Sequence, residues 1–150
     1  MKKEQSFWHN LPKPFFVFAP MADVTDCAFR EMIAKHSRHG QALGGPHVFW
    51  TEFVSADGLC SPGREVLLRD LEFSVEERPI VAQLFGSNPD NMFKAAKLCA
   101  EKGFDGIDIN MGCPDKSIEK QGAGAAMIKD PKKAQAIIRA AQEGSGLPVS

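Results

Sequence analysis

Cys113 stands in the run Asp108-Ile-Asn-Met-Gly-Cys-Pro114, just beyond a carboxylate and an amide that share one face of a short apolar segment. An unperturbed thiol, with a pKa of about 8.5, is mostly protonated at neutral pH and can give a proton to a developing carbanion. Gly112 and Pro114 flank Cys113, so it is expected on a loop rather than within a helix, a placement that suits a reactive thiol. By position alone, a buried structural cysteine is the competing reading. Ile107 and Ile109 should point one way and Asp108 and Asn110 the other, because side chains alternate along a strand. Polar residues on one face fit the interior or mouth of a barrel better than a strand buried on both sides.

Three further sets of residues could join Cys113. Gln83 is the one amide in the apolar run Ile80 to Phe85, and a buried amide needs partners, either neighbouring backbone or a bound ring that carries donors and acceptors. Ala19-Pro20-Met21-Ala22 ends another apolar run in a tight loop of small residues, which lets backbone approach a planar ligand. Thr51-Glu52 closes a third run, and Glu52 alone reads more readily as a structural hydrogen-bond partner than as a catalyst.

Positioning these residues calls for βα units. Four apolar runs, Phe15 to Pro20, His47 to Phe53, Ile80 to Phe85 and Gly106 to Asn110, are each followed by helical signals, the pattern of a parallel sheet. Thr25 is expected to cap the first helix, and the second is expected within Pro62 to Leu71. Asn88-Pro89 and Asp130-Pro131 open the third and fourth, with Gly103 and Gly144 at their ends. Cys99 falls on the apolar stripe of the third helix and is expected in the core. Gly146 to Val149 reads as a turn into a fifth strand. No Gly-x-Gly-x-x-Gly follows the first run, and Gly122-Ala-Gly-Ala-Ala-Met127 lacks both the third glycine and a strand directly before it. The eightfold parallel barrel is therefore favoured over a doubly wound sheet.

Composition narrows the class. The 150 residues suit one domain, and eighteen basic against nineteen acidic side chains leave no global charge for nucleic acid, so any RNA contact must be local or lie elsewhere. No apolar stretch is long enough to span a membrane, and residues 1–14 lack a secretory signal, so a cytoplasmic location is expected. The four cysteines are irregularly spaced without ligand-spaced histidines, which indicates neither disulfides nor a metal.

Read together, Ala19-Pro-Met-Ala-Asp-Val-Thr-Asp26 with Phe29-Arg30, Thr51-Glu52, Gln83-Leu-Phe-Gly86, the Asp108 to Pro114 run and Gly122-Ala-Gly-Ala125 resemble the tRNA dihydrouridine synthase family in order and spacing. The resemblance implies a TIM (β/α)8 barrel that binds FMN, followed by a helical domain, and reduction of the C5–C6 bond of tRNA uridines with NADPH as reductant. It implies that Cys113 protonates C5, that Pro20, Met21 and Ala22 lie against the flavin, that Gln83 hydrogen-bonds it, and that Asn110 stands beside the uracil. Asp23 occupies a place where the family often has glycine. On this reading residues 1–14 are an N-terminal extension and 15–150 hold about the first four βα units of the barrel. The later half, with the FMN-phosphate loops and the helical domain, is absent, so the piece alone is expected to be inactive. The oligomeric state stays open. Two rivals remain: an FMN barrel acting on a free pyrimidine, of the dihydroorotate or dihydropyrimidine dehydrogenase type, and a non-catalytic half-barrel remnant.

Overall fold

The computed structural model describes residues 6–41 and 43–150. Among these residues, five strands form one sheet in which every pairing is parallel: β1 (Val17–Phe18), β2 (Val48–Trp50), β3 (Val54–Ser55), β4 (Ile80–Phe85) and β5 (Gly106–Ile109). β1 pairs with β2, β2 with β4, and β4 with β5, so neighbours in space follow one another along the chain. A doubly wound sheet would reverse that order part-way; this sheet does not, which fits part of a barrel. Beyond β5, Val149 makes a parallel bridge to Ile107, where the fifth run was expected.

β2 and β3 are the two ends of one strand. Phe49 pairs with Ile80 and Val54 with Leu84, so one chain advances five positions while its partner advances four. The extra residue is a bulge at Thr51 to Phe53, which ends the expected continuous strand His47 to Phe53 at Trp50. The first run is likewise paired only at Val17–Phe18 rather than from Phe15 to Pro20.

The helices that cover one face are α1 (Cys27–His36), α4 (Pro89–Lys102) and α6 (Pro131–Ser145), with short α2 (Ala56–Leu59), α3 (Arg64–Leu67) and α5 (Lys116–Lys120) in the connections. Asp26, not Thr25, caps α1: its carboxylate accepts from the Phe29 N–H at 2.8 Å. The Thr25 hydroxyl instead folds back on Met21. The expected second helix is split into α3 and a 3-10 turn at Arg69–Leu71. Gly103 ends α4 in the left-handed region as expected, whereas α6 runs past Gly144 to Ser145 and is capped by Gly146. Gly144 serves packing instead, since a Cβ there would collide with the Phe93 carbonyl of α4.

Strand alternation sorts the core into two layers. Ile80, Ala82, Leu84, Ile107 and Ile109 face α4 and α6 in the main cluster. Val48, Trp50 and Val81 form a smaller cluster covered by Phe7, Trp8 and Leu11, with the Trp8 and Trp50 rings 5.8 Å apart. The N-terminal segment thus closes the end of the sheet where the strands begin, leaving the other end of that face to polar residues.

Arg30 and Glu77 are buried together, Nε to Oε2 at 2.5 Å. Arg30 also donates to the Thr25 and Glu72 carbonyls at 2.6 Å each, and Glu77 accepts from the Ser74 N–H at 2.7 Å. The pair ties the loop after β1 to the segment before β4.

Burial pushes the Cys99 thiol up to about 12. Burial, and secondarily the Glu77 carboxylate, pushes Cys27 up to about 11. Thiolate is the reactive form, so at pH 8 alkylation followed by peptide mass spectrometry should label exposed Cys60 well before Cys27 or Cys99 in the native protein. Rapid labelling of Cys99 would contradict this packing. Because these folded values lie above the ordinary 9.0, unfolded thiols ionise first, and this contribution to stability is lost as pH climbs from about 9 toward 12.

Candidate functional site at the strand ends

The register of β4 and β5 sets Gln83 opposite Asp108. Gln83 is 8% exposed, and its Nε2 donates to Asp108 Oδ2 at 2.6 Å. Its Oε1 accepts from Asn110 Nδ2 at 3.1 Å, and the backbone N–H of Gln83 is held by the Thr51 hydroxyl at 3.1 Å. Asn110 in turn accepts through Oδ1 from the backbone N–H groups of Gly112, at 3.2 Å, and Cys113, at 2.9 Å. The amide therefore folds the loop after β5 back over the strand ends, and it leaves Cys113 half-buried on that loop rather than packed in hydrocarbon.

The Gly122-Ala-Gly-Ala segment supports the same loop from outside. Gly124 has φ +58, and a Cβ there would lie 2.6 Å from the Cys113 carbonyl oxygen, which already accepts from the Ala125 N–H at 3.0 Å. Gly124→Ala should therefore displace the Cys113 backbone and cost at least about 1 kcal/mol from the left-handed conformation alone. Paired denaturant melts and Cys113 alkylation rates would check it, and an unaltered alkylation rate would show that the loop does not depend on this contact.

Pro20, Met21 and Ala22 stand at the same end of the sheet, beyond β1. Both polar atoms of the Met21 backbone are held by Thr25: its N–H donates to the hydroxyl at 3.0 Å, and its carbonyl accepts from the Thr25 N–H at 3.0 Å. The Met21 side chain is 46% exposed. No hydrogen bond joins this loop to the Gln83–Asn110 network among the described residues; Met21 and Ala22 are exposed, and Ala22 lines a recess with Phe53 and the carboxylates of Asp23, Asp26, Glu52 and Asp70. Asp23 takes φ +60, which explains why glycine suits that position; aspartate is among the few other residues that tolerate it.

Glu52, displaced by the bulge, lines a recess of about 480 Å³ with Asp23, Asp26 and Asp70. Burial, then the nearby Asp70 and Asp23 charges, raise its pKa, partly offset by a hydrogen bond from the Asp23 backbone. Burial and Asp23 likewise raise Asp70. Among the described residues, no group of three or more His, Cys, Asp or Glu side chains could hold a metal, and no helix is long and apolar enough to cross a membrane.

Two members of the network were not singled out from sequence as site residues. Asp108 carried a signal, since it shares its face with Asn110 at a spacing of two. Thr51 carried one as well, being the polar residue that closes its apolar run beside Glu52, but its contact with Gln83 depends on how the bulge seats β2 against β4.

The architecture is that of a parallel α/β protein whose candidate site lies where the strands end. A sequence model of the dihydrouridine synthase (Dus) family matches residues 17–150, and the chain belongs to that family. It is 44% identical over 147 residues to the "Probable tRNA-dihydrouridine synthase 2" of Bacillus subtilis (strain 168), covering 97% of this chain and 43% of that protein. It is 41% identical over 148 residues to the "Probable tRNA-dihydrouridine synthase" of Staphylococcus epidermidis (strain ATCC 35984), covering 98% of this chain and 43% of the relative. The Staphylococcus aureus (strain COL) protein of that name gives the same identity and coverage, 41% and 98% of this chain. The chain thus spans under half the length of these relatives.

Proposed function

We propose that the chain supplies about the first four βα units of the (β/α)8 barrel of a cytoplasmic tRNA dihydrouridine synthase, which reduces particular tRNA uridines with NADPH. The observation that carries this reading is the Gln83–Asn110 network that fixes the Cys113 loop over the strand ends.

The residues fit FMN. A glutamine amide offers two N–H donors and about two acceptor positions, and Gln83 has used one of each. A donor and an acceptor are left for the edge of a flavin ring, and Pro20, Met21 and Ala22 offer it an open shelf of small and apolar side chains. When bound, FMN would supply the hydride delivered to uracil C6. Cys113 supplies the proton: its S–H gives the proton to C5 from the other face, and the thiolate left behind recovers one from solvent. Asn110 retains one Nδ2 hydrogen beyond that given to Gln83, enough to orient a uracil carbonyl.

A base reaches such a site only after leaving the stack, and the RNA backbone must then rest on the rim. Lys116, Lys120, Lys129, Lys132 and Lys133 lie on α5, on the turn after it and at the start of α6, and none forms an ion pair among the described residues. Asp115 and Asp130 in the same stretch are occupied in capping α5 and α6. This local excess of positive charge supports contact with phosphates in a chain of net charge −1.

The test is to incubate the complete protein that carries this chain with NADPH and unmodified tRNA, then measure dihydrouridine by nucleoside mass spectrometry. Dihydrouridine is expected. Activity on free uracil or dihydroorotate with tRNA untouched would transfer the site to the free-pyrimidine rival. Residues 1–150 alone are expected to give no turnover, because the open edges of the sheet leave the barrel unclosed; product from that piece would overturn this part.

A further inference from the structure

We propose that Asp108 is a positioning residue: it sets the direction of the hydrogen bonds that run from Gln83 through Asn110 to the Cys113 loop. The inference deepens the synthase reading and rests on it only for the reaction; the geometry stands by itself.

The two ends of a side-chain amide are alike in shape and opposite in hydrogen-bonding sense, so Gln83 and Asn110 could each fit in two orientations. A carboxylate removes that choice, because it accepts and does not donate. Asp108 Oδ2 faces Gln83 Nε2 at 2.6 Å, which turns Gln83 Oε1 toward Asn110. Oε1 then requires a donor and receives Asn110 Nδ2 at 3.1 Å. Asn110 Oδ1 is left facing the Gly112 and Cys113 N–H groups. Reversing either amide would set donor against donor or acceptor against acceptor. The second oxygen of Asp108, Oδ1, accepts from the Ser150 hydroxyl at 2.8 Å, which fixes the rotation of the carboxylate. Asp108 and Gln83 are cross-strand partners, so the contact is built into the β4–β5 register.

This directionality can be broken and restored by exchange. Gln83→Glu keeps size and shape but sets two acceptors face to face. Asp108→Asn can present either its oxygen or its N–H to Gln83, so the direction of the chain is no longer imposed. The double substitution Gln83→Glu with Asp108→Asn restores a donor opposite an acceptor, now running from position 108 to position 83, and the new carboxylate at 83 can still accept from Asn110.

The complete protein and these three variants would be compared by two measurements. The first is the alkylation rate of Cys113 in flavin-free protein, with Cys60 as internal control. The second is kcat and KM for tRNA reduction. Gln83→Glu should alter Cys113 alkylation severalfold with Cys60 unmoved and lower kcat by about ten- to a hundredfold. Asp108→Asn should shift Cys113 alkylation and kcat in the same direction as Gln83→Glu but less, and the double variant should recover much of what Gln83→Glu loses. Failure of the double variant to recover Cys113 alkylation would overturn the proposal, as would a Gln83→Glu protein indistinguishable from the parent. If Gln83→Glu does not fold, Asp108→Leu removes the acceptor from the other side; parent-like Cys113 alkylation there would be equally fatal. Recovery of alkylation in a protein without tRNA activity would keep the role of Asp108 and discard the synthase reading.

Discussion

Replacing Cys113 with alanine in the complete protein is expected to lower tRNA uridine reduction by about 10²–10⁴-fold, the range typical of a lost general acid. Flavin content should hold, because the loop is fixed through the Cys113 backbone N–H and carbonyl, which alanine retains. Hydride addition at C6 without a proton donor leaves charge on C5 and its neighbouring carbonyl, and water in a closed site is a poor substitute for a thiol positioned on the opposite face. The effect should fall mainly on kcat rather than KM. Cys113→Ser should also be slow, since a hydroxyl gives up its proton far less readily than a thiol. A variant that keeps flavin and the parent rate would show that the proton comes from elsewhere.

Breaking the Arg30–Glu77 pair should have the largest effect on stability, about 3–5 kcal/mol for either single truncation. Both side chains are essentially sealed from water, at 1% and 0% exposure, so neither charge can be rehydrated when its partner is removed. Glu77→Ala leaves the guanidinium with only the Thr25 and Glu72 carbonyls. Arg30→Met leaves the Glu77 carboxylate buried with the Ser74 N–H and, at 3.5 Å, the Cys27 thiol. The double substitution Arg30→Met with Glu77→Leu should cost less than the sum, because no unpaired charge stays inside. Urea melts of the four proteins measure this directly, and full additivity would show that the charges do not act as a pair. A functional consequence follows from the same contacts. Arg30 holds the Thr25 carbonyl and Thr25 holds Met21, so loss of the pair should also loosen the apolar shelf proposed to meet the flavin.

What could be read from residues alone was what local chemistry decides. The strands beginning at Ile80 and Gly106, the caps at Asn88 and Asp130, the burial of Cys99 and the polar face of Asp108 and Asn110 all follow from periodicity and from side chains acting on their own backbone. The family was legible as well, because several short motifs occur in a fixed order. Other features depend on partners distant in the chain. Asp26 rather than Thr25 caps α1 because the Thr25 hydroxyl is taken by Met21. The break after Trp50 arises from one extra residue against β4, visible only once the strands are paired. Arg30 could not be matched with Glu77, 47 positions away, nor Gln83 with Asp108 and Asn110, 25 and 27 positions away, until the sheet brought them together. Sequence supplied the donors and acceptors; three-dimensional register decided which of them meet, because hydrogen bonds act over a few ångströms of space whatever the separation along the chain.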